Sequence, residues 1–245
     1  MNYPLYRDTL CPKLWVAESG QIKLNREVRK SLLKIAQDFI KELKLNNEIE
    51  IKATDVVIIG SITNYNWTQY SDIDLHIVAD YSTLNMSKED AQTLFDAIKR
   101  PWNETHNITM KGHDVELYVQ DVEYTPTSAS EYSVLSDKWL IPPVKEKPNF
   151  NVGLIKKKYK EYKNKINSLI SSNDEAGLKS LLDKLYKFRQ AGLDSSGELS
   201  EENIVFKMLR AKGFLDKIKD SAIRLYDKSA SVKEITGKKC AYKSP

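Results

Sequence analysis

Val56-Val57-Ile58-Ile59-Gly60-Ser61, followed after a ten-residue spacer by Asp72-Ile73-Asp74-Leu75-His76-Ile77-Val78, decides how this chain is read. An apolar run ends in a Gly-Ser turn, and two aspartates one residue apart then open a second apolar run. Side chains alternate across a strand, so Asp72 and Asp74 share a face. Two carboxylates about 4 Å apart repel by roughly 4 kcal/mol at an effective dielectric near 20, so such a pair calls for a positive partner. Mg²⁺ is the usual one, seated on one or two carboxylates together with substrate phosphates. Gly60 permits close backbone approach, and Ser61 offers a hydroxyl and an N–H to a phosphate oxygen.

A third carboxylate follows. Asp114-Val115-Glu116-Leu117-Tyr118-Val119-Gln120 alternates polar and apolar, which predicts a half-buried strand with Asp114, Glu116, Tyr118 and Gln120 on one face. Ile108-Thr109-Met110 joins it through Lys111-Gly112-His113 as a hairpin. Glu116, mid-strand, could sit beside Asp72 and Asp74 in a shared sheet. Three acids of this kind can hold two metal ions, one activating an attacking hydroxyl and the other stabilising a leaving pyrophosphate oxygen.

These residues resemble the polymerase-β-like nucleotidyltransferase superfamily. Its signature is an apolar strand, Gly-Ser, a short helical spacer, Asp-x-Asp, and a third Asp or Glu on a later strand. The likeness covers about residues 50 to 125: Gly60-Ser61, the spacer Ile62 to Ser71, Asp72-Ile73-Asp74 and Glu116. The third position is Glu where Asp is commoner, leaving open whether Glu116 is a metal ligand, a general base or both. Further segments look like a narrower group, the nucleotidyltransferases predicted from tailed-phage genomes. They are Leu10 to Trp15, Asn64 to Trp67, Lys111 to Asp121, Tyr132 to Leu135 and Ser200 to Ile218.

The resemblance implies an α+β fold, a mixed catalytic sheet with helices followed by a helical C-terminal domain. It implies an enzyme that moves a nucleoside monophosphate from a triphosphate such as ATP to an acceptor hydroxyl, releasing pyrophosphate. Gly60 and Ser61 would bind the nucleotide. Asp72, Asp74 and Glu116 would be both the catalytic residues and the ligands of Mg²⁺, with Mn²⁺ as a substitute. The acceptor could be an RNA end such as a tRNA, a protein side chain, a small molecule or a second nucleotide. The other class of reading is a catalytically inactive nucleotide- or RNA-binding module of the same fold. Dehalogenase-type phosphatases and many glycosyltransferases also carry Asp-x-Asp, but there the apolar strand precedes the pair. Here Thr68-Gln69-Tyr70-Ser71 precedes it.

Composition describes a soluble globular chain, 41% hydrophobic and 29% charged over 245 residues. Cys11 and Cys240 show neither metal-ligand spacing nor a disulfide framework, which predicts a reducing, cytoplasmic setting, the host cytoplasm for a phage protein. No run reaches transmembrane length and no signal-peptide pattern opens the chain, so no membrane partner is expected. Residues 151–245 carry 21 Lys+Arg against 12 Asp+Glu, a balance of +9, whereas residues 1–150 stand at −5. The basic half could meet triphosphate or RNA, and it tilts the acceptor slightly towards RNA. Solvated helix faces account for the same charges.

The organisation predicted is a catalytic domain over 1–143 with an irregular N-terminal arm anchored by Leu14 and Trp15, a helical domain over 150–228, and a basic flexible tail over 229–245. Arg26 to Leu43 reads as a helix capped by Asn25. Ser87-Lys88-Glu89-Asp90 resembles a capping box opening a helix to about Trp102, with Pro101 ending or kinking it. Tyr132 to Leu135 and Lys138 to Ile141 read as short strands, and Pro142-Pro143 to Pro148 as the linker. Four apolar stripes follow, centred on Ile155/Ile166, Leu178/Leu185, Ile204/Leu209 and Phe214/Ala222. Gly192 to Gly197 lacks the Lys and preceding strand of a P-loop and reads as a turn. His76 shares the acidic face but is more simply a structural histidine, and His106 and His113 flank the hairpin without zinc-ligand spacing. Tyr65, Asn66 and Trp67 border the nucleotide in the resemblance, and Trp67 alternatively packs the spacer down. Lys157, Lys158, Arg189, Lys207 and Arg210 are candidate polyanion contacts.

Overall fold

The computed structural model describes residues 6–124, 128–145 and 149–231. Residues 232–245, which include Cys240 and most of the expected tail, lie outside them, as does Pro148 of the expected linker. The chain divides into two compact units. Among the described residues, one comprises those up to 150 together with 192–200, the other 151–191 and those from 201 onward.

The first unit is α+β. Strands β1 (Trp15–Glu18) and β2 (Gln21–Leu24) form a hairpin where an irregular arm was expected. Its two-residue turn, Ser19-Gly20, takes positive φ at both positions (52° and 78°), the geometry that matches strand twist. Leu14 and Trp15 are buried. Helix α1 (Arg26–Asn47) starts where Asn25 Oδ1 accepts from the Glu27 and Val28 N–H groups, and it buries Val28, Leu32, Ile35, Ala36, Phe39 and Leu43 along one stripe. Strands β3 (Ala53–Ile59), β4 (Ile73–Ala79), β5 (Thr109–Met110), β6 (His113–Asp121), β7 (Glu131–Ser133) and β8 (Lys138–Ile141) make a six-stranded mixed sheet in the order β5-β6-β4-β3-β7-β8. Among the described strands, only β4 and β6 run parallel.

Parallel neighbours need a crossover, and α2 (Lys88–Thr105) supplies it. Ser87 caps it by accepting from the Asp90 N–H, while the Ser87 hydroxyl donates to Asp90 Oδ2. Pro101 does not end the helix, which continues to Thr105. Pro101 and Ala97 are both exposed, so the carbonyl that Pro101 leaves without a helical donor is open to water. Ala91 and Phe95 face inward, and Trp102 meets Phe39 edge-on at 5.6 Å. Asn103 pairs its side-chain amide with both backbone groups of Leu117, donating to the carbonyl and accepting from the N–H, each at 3.0 Å. A side chain thus stands where a neighbouring strand would lie.

The pleat sorts the sheet into two faces. Val56, Ile58, Ile73, Leu75, Ile77, Val115, Leu117 and Val119 join the apolar core with α1 and α2. Asp74, His76, Glu116, Tyr118 and Gln120 alternate with them and face the other way.

The second unit is helical: α3 (Val152–Ser171), α4 (Glu175–Ser196) up to residue 191, α5 (Glu201–Ala211) and α6 (Phe214–Ala230). Its core includes Ile155, Tyr159, Ile166, Leu178, Leu181, Leu185, Ile204, Leu209 and Ile218, the stripes read from the sequence. The expected turn over Gly192 to Gly197 is corrected. The helix runs on to Ser196, with Gly192 buried, and the chain turns only over Gly197–Leu199. Among the described residues no helix is long and apolar enough to cross a membrane.

Candidate functional site

Register brings the acids together. Asp74 and Glu116 are direct partners across the parallel β4–β6 pair, and Asp72 stands one residue before β4. All three act on one group. The Tyr118 phenol is pushed up first by burial, then by the charges of Asp74 and Glu116, its bond to Glu116, and Asp72. That phenol donates to Glu116 Oε2 at 2.6 Å, and Lys99 Nζ lies 4.0 Å from the centre of its ring. Tyr118 therefore orients one oxygen of Glu116 and leaves the other to the site. Among the described residues, no three His, Cys, Asp or Glu side chains gather tightly enough to form a metal cage by themselves. The donors present are carboxylate oxygens, the kind Mg²⁺ takes.

Gly60 is pressed against this cluster. Its backbone sits at φ 87°, ψ −166°, and a Cβ built there would lie 2.4 Å from Asp74 Oδ2. A side chain at this position would push the Asp74 carboxylate or the turn itself aside. The Gly60 N–H donates to Ser128 Oγ at 3.1 Å, and Thr63 Oγ1 donates to the Gly60 carbonyl at 2.8 Å. The Ser61 and Ser71 hydroxyls pair at 2.9 Å, and Ser71 Oγ accepts from the Thr68 N–H. The Gly-Ser turn is thereby tied to the residue that precedes Asp72.

His113, which the sequence placed only beside the hairpin, holds the same residue from behind. Its Nδ1 lies 2.7 Å from the Ser71 carbonyl, and its Nε2 lies 3.5 Å from Cys11 Sγ. A carbonyl only accepts, so Nδ1 carries the proton. Burial pushes the Cys11 thiol up, but the His113 bond, aided by backbone donors, brings it below its ordinary value. The bond to Cys11 raises His113 against the effect of burial. Cys11 and His113 are 102 residues apart in sequence, and no local pattern announces the pair.

His76 stacks on Tyr118 with ring centres 4.7 Å apart, and its Nδ1 meets Gln120 Oε1 at 2.6 Å. Burial pushes its pKa down to about 4, partly opposed by the Gln120 bond and assisted by Lys99. Because the unfolded chain takes up a proton near pH 6.5 and the folded chain does not, the contribution of neutral His76 is complete above pH 6.5. It is lost as pH falls towards 4, by about 3 kcal/mol in all. His76→Gln is expected to be less stable than the wild type at pH 7.5 and to close that gap by pH 4.5. Melting curves across this range check the prediction, and a gap independent of pH would refute it.

Trp67 packs the spacer down. The Arg7 guanidinium lies 4.7 Å over its ring, and its Nε1 donates to the Thr9 carbonyl. Tyr65 packs beside Tyr6. Asn66 is buried and turned towards Glu198. No family model, curated protein or solved structure matches this chain.

Proposed function

We propose that this protein is a metal-dependent nucleotidyltransferase built on a polymerase-β-like sheet. The observation that carries the reading is the pairing of Asp74 with Glu116 in register, with Gly60 closed against the Asp74 carboxylate. Asp72, Asp74 and Glu116 would hold Mg²⁺, for which Mn²⁺ could substitute. When bound, the ion supplies the charge neutralisation that lets pyrophosphate leave. The chain's own contribution is placement. The Gly60-Ser61 turn receives the triphosphate, with the Ser61 hydroxyl free to exchange Ser71 for a phosphate oxygen. Glu116, steered by Tyr118, turns its second oxygen towards the acceptor hydroxyl and takes its proton. An RNA end is the acceptor best matched by the +9 balance of residues 151–245.

Pyrophosphate release with ATP, CTP, GTP and UTP, in Mg²⁺ and with host RNA, tests the reading. Metal-dependent release and transfer of label to one acceptor is the expected result. Label in RNA, with log affinity falling linearly in log salt, would support an RNA acceptor. Triphosphate binding without turnover under any condition would instead favour the inactive binding module.

A further inference from the structure

We propose, resting on the nucleotidyltransferase reading, that Asn66 and Glu198 form the subsite for the sugar of the nucleoside triphosphate, Asn66 Oδ1 accepting from a ribose hydroxyl. Asn66 is 7% exposed, and its Nδ2 donates to Glu198 Oε2 at 3.3 Å. A carboxylate cannot donate, so this bond fixes which end of the amide faces Glu198. The amide oxygen is left over, and among the described residues it has no hydrogen-bond partner. Buried acceptors are normally satisfied, and one that is not marks a place where a donor is expected.

The location narrows the donor. Glu198 Oε1 lies 3.2 Å from Ser128 Oγ, whose one proton it shares with the Ser130 carbonyl at 3.0 Å, and Ser128 Oγ receives the Gly60 N–H at 3.1 Å. The unpartnered oxygen therefore belongs to a short polar chain that ends on the proposed triphosphate turn. The triphosphate itself has only acceptor oxygens and negative charge, so neither Asn66 Oδ1 nor Glu198 can hold it. The donors a nucleotide carries are its sugar hydroxyls and, for some bases, an exocyclic amine. The sugar is attached directly to the phosphates and is the nearer of the two. An acidic side chain is also the group that takes ribose hydroxyls in other nucleotide sites. A site built around a hydroxyl discriminates against the analogue lacking it, because its own polar group is then left unpaired.

Calorimetric titration of the full-length protein in Mg²⁺ with ATP, 2′-deoxy-ATP, 3′-deoxy-ATP and UTP tests this. ATP is expected to bind roughly ten- to a hundredfold more tightly than at least one deoxy analogue. Asn66→Ala should bring ATP and that analogue within about twofold, the loss falling on ATP. Equal binding of ATP and both deoxy analogues overturns the inference. So does a preference that survives in a folded Asn66→Ala variant. Tight ATP and weak UTP binding, with both deoxy forms equal to ATP, would assign Asn66 to the base instead. Should Asn66→Ala fail to fold, the wild-type comparison of analogues still decides. Binding of no triphosphate at all would overturn the nucleotidyltransferase reading and this inference with it, whereas normal triphosphate binding without sugar discrimination removes only the latter.

Discussion

Asp74→Asn is expected to abolish nucleotidyl transfer and to leave the fold at least as stable as before. Asp74 stands beside Glu116 in register and within reach of the same phenol as Asp72. Removing one of three like charges relieves repulsion, so the melting temperature without metal should hold or rise. On the proposed function a metal ion supplies several kcal/mol of transition-state stabilisation, and losing one of its ligands should cost about a thousandfold or more in rate. Pyrophosphate release and thermal melting in chelator check the two halves separately. Retained turnover would remove Asp74 from the chemistry, and a clear drop in melting temperature would make it structural.

Gly60→Ala should damage both stability and turnover. The backbone at φ 87°, ψ −166° lies in a region almost exclusive to glycine, at a cost of about 1–3 kcal/mol for another residue. The added methyl would also meet Asp74 Oδ2 at 2.4 Å, so the turn or the carboxylate must move. A combined loss of about 2–4 kcal/mol in stability is expected, with transfer falling by more than tenfold because a positioned ligand shifts. Gly20→Ala is the control. Its φ is also positive, but nothing lies within 4 Å of a built Cβ, so only the conformational part, about 1–2 kcal/mol, should appear. Equal melting temperatures for the two variants would refute the clash with Asp74.

The sheet and its acids were legible because their signals are short-range and periodic. Val56–Ile59 is an apolar run, and Asp72–Ile77 and Asp114–Gln120 alternate polar and apolar, so face and spacing follow from the pleat alone. Placing Glu116 beside Asp74 needed one further step, the choice of β6 as the neighbour of β4, which the pattern within either strand allows but does not fix. Other features escaped for physical reasons. The β1–β2 strands are four residues each, and Ser19-Gly20 is a weaker hairpin signal than Asn-Gly. Gly192 resembles a breaker, yet its burial shows that packing, rather than propensity, decides its conformation. Tyr118 was assigned to the right face, but its bond to Glu116 depends on rotamers no pattern encodes. The Asn66–Glu198 bond joins residues 132 apart, and only an accounting of buried polar atoms brings it out.

The amide of Asn103 bears on how this protein behaves in a crowded solution. Among the described residues, no strand beyond the two-residue β5 lies on the outer side of β6, and its peptide groups would offer a template for another chain. By answering both groups of Leu117, Asn103 closes that template in the middle of the strand that carries Glu116. One side chain thus guards the edge of the strand at the residue next to Glu116. A substitution such as Asn103→Leu would expose the edge and invite strand addition, and its first symptom would be concentration-dependent loss of soluble protein rather than a slower reaction.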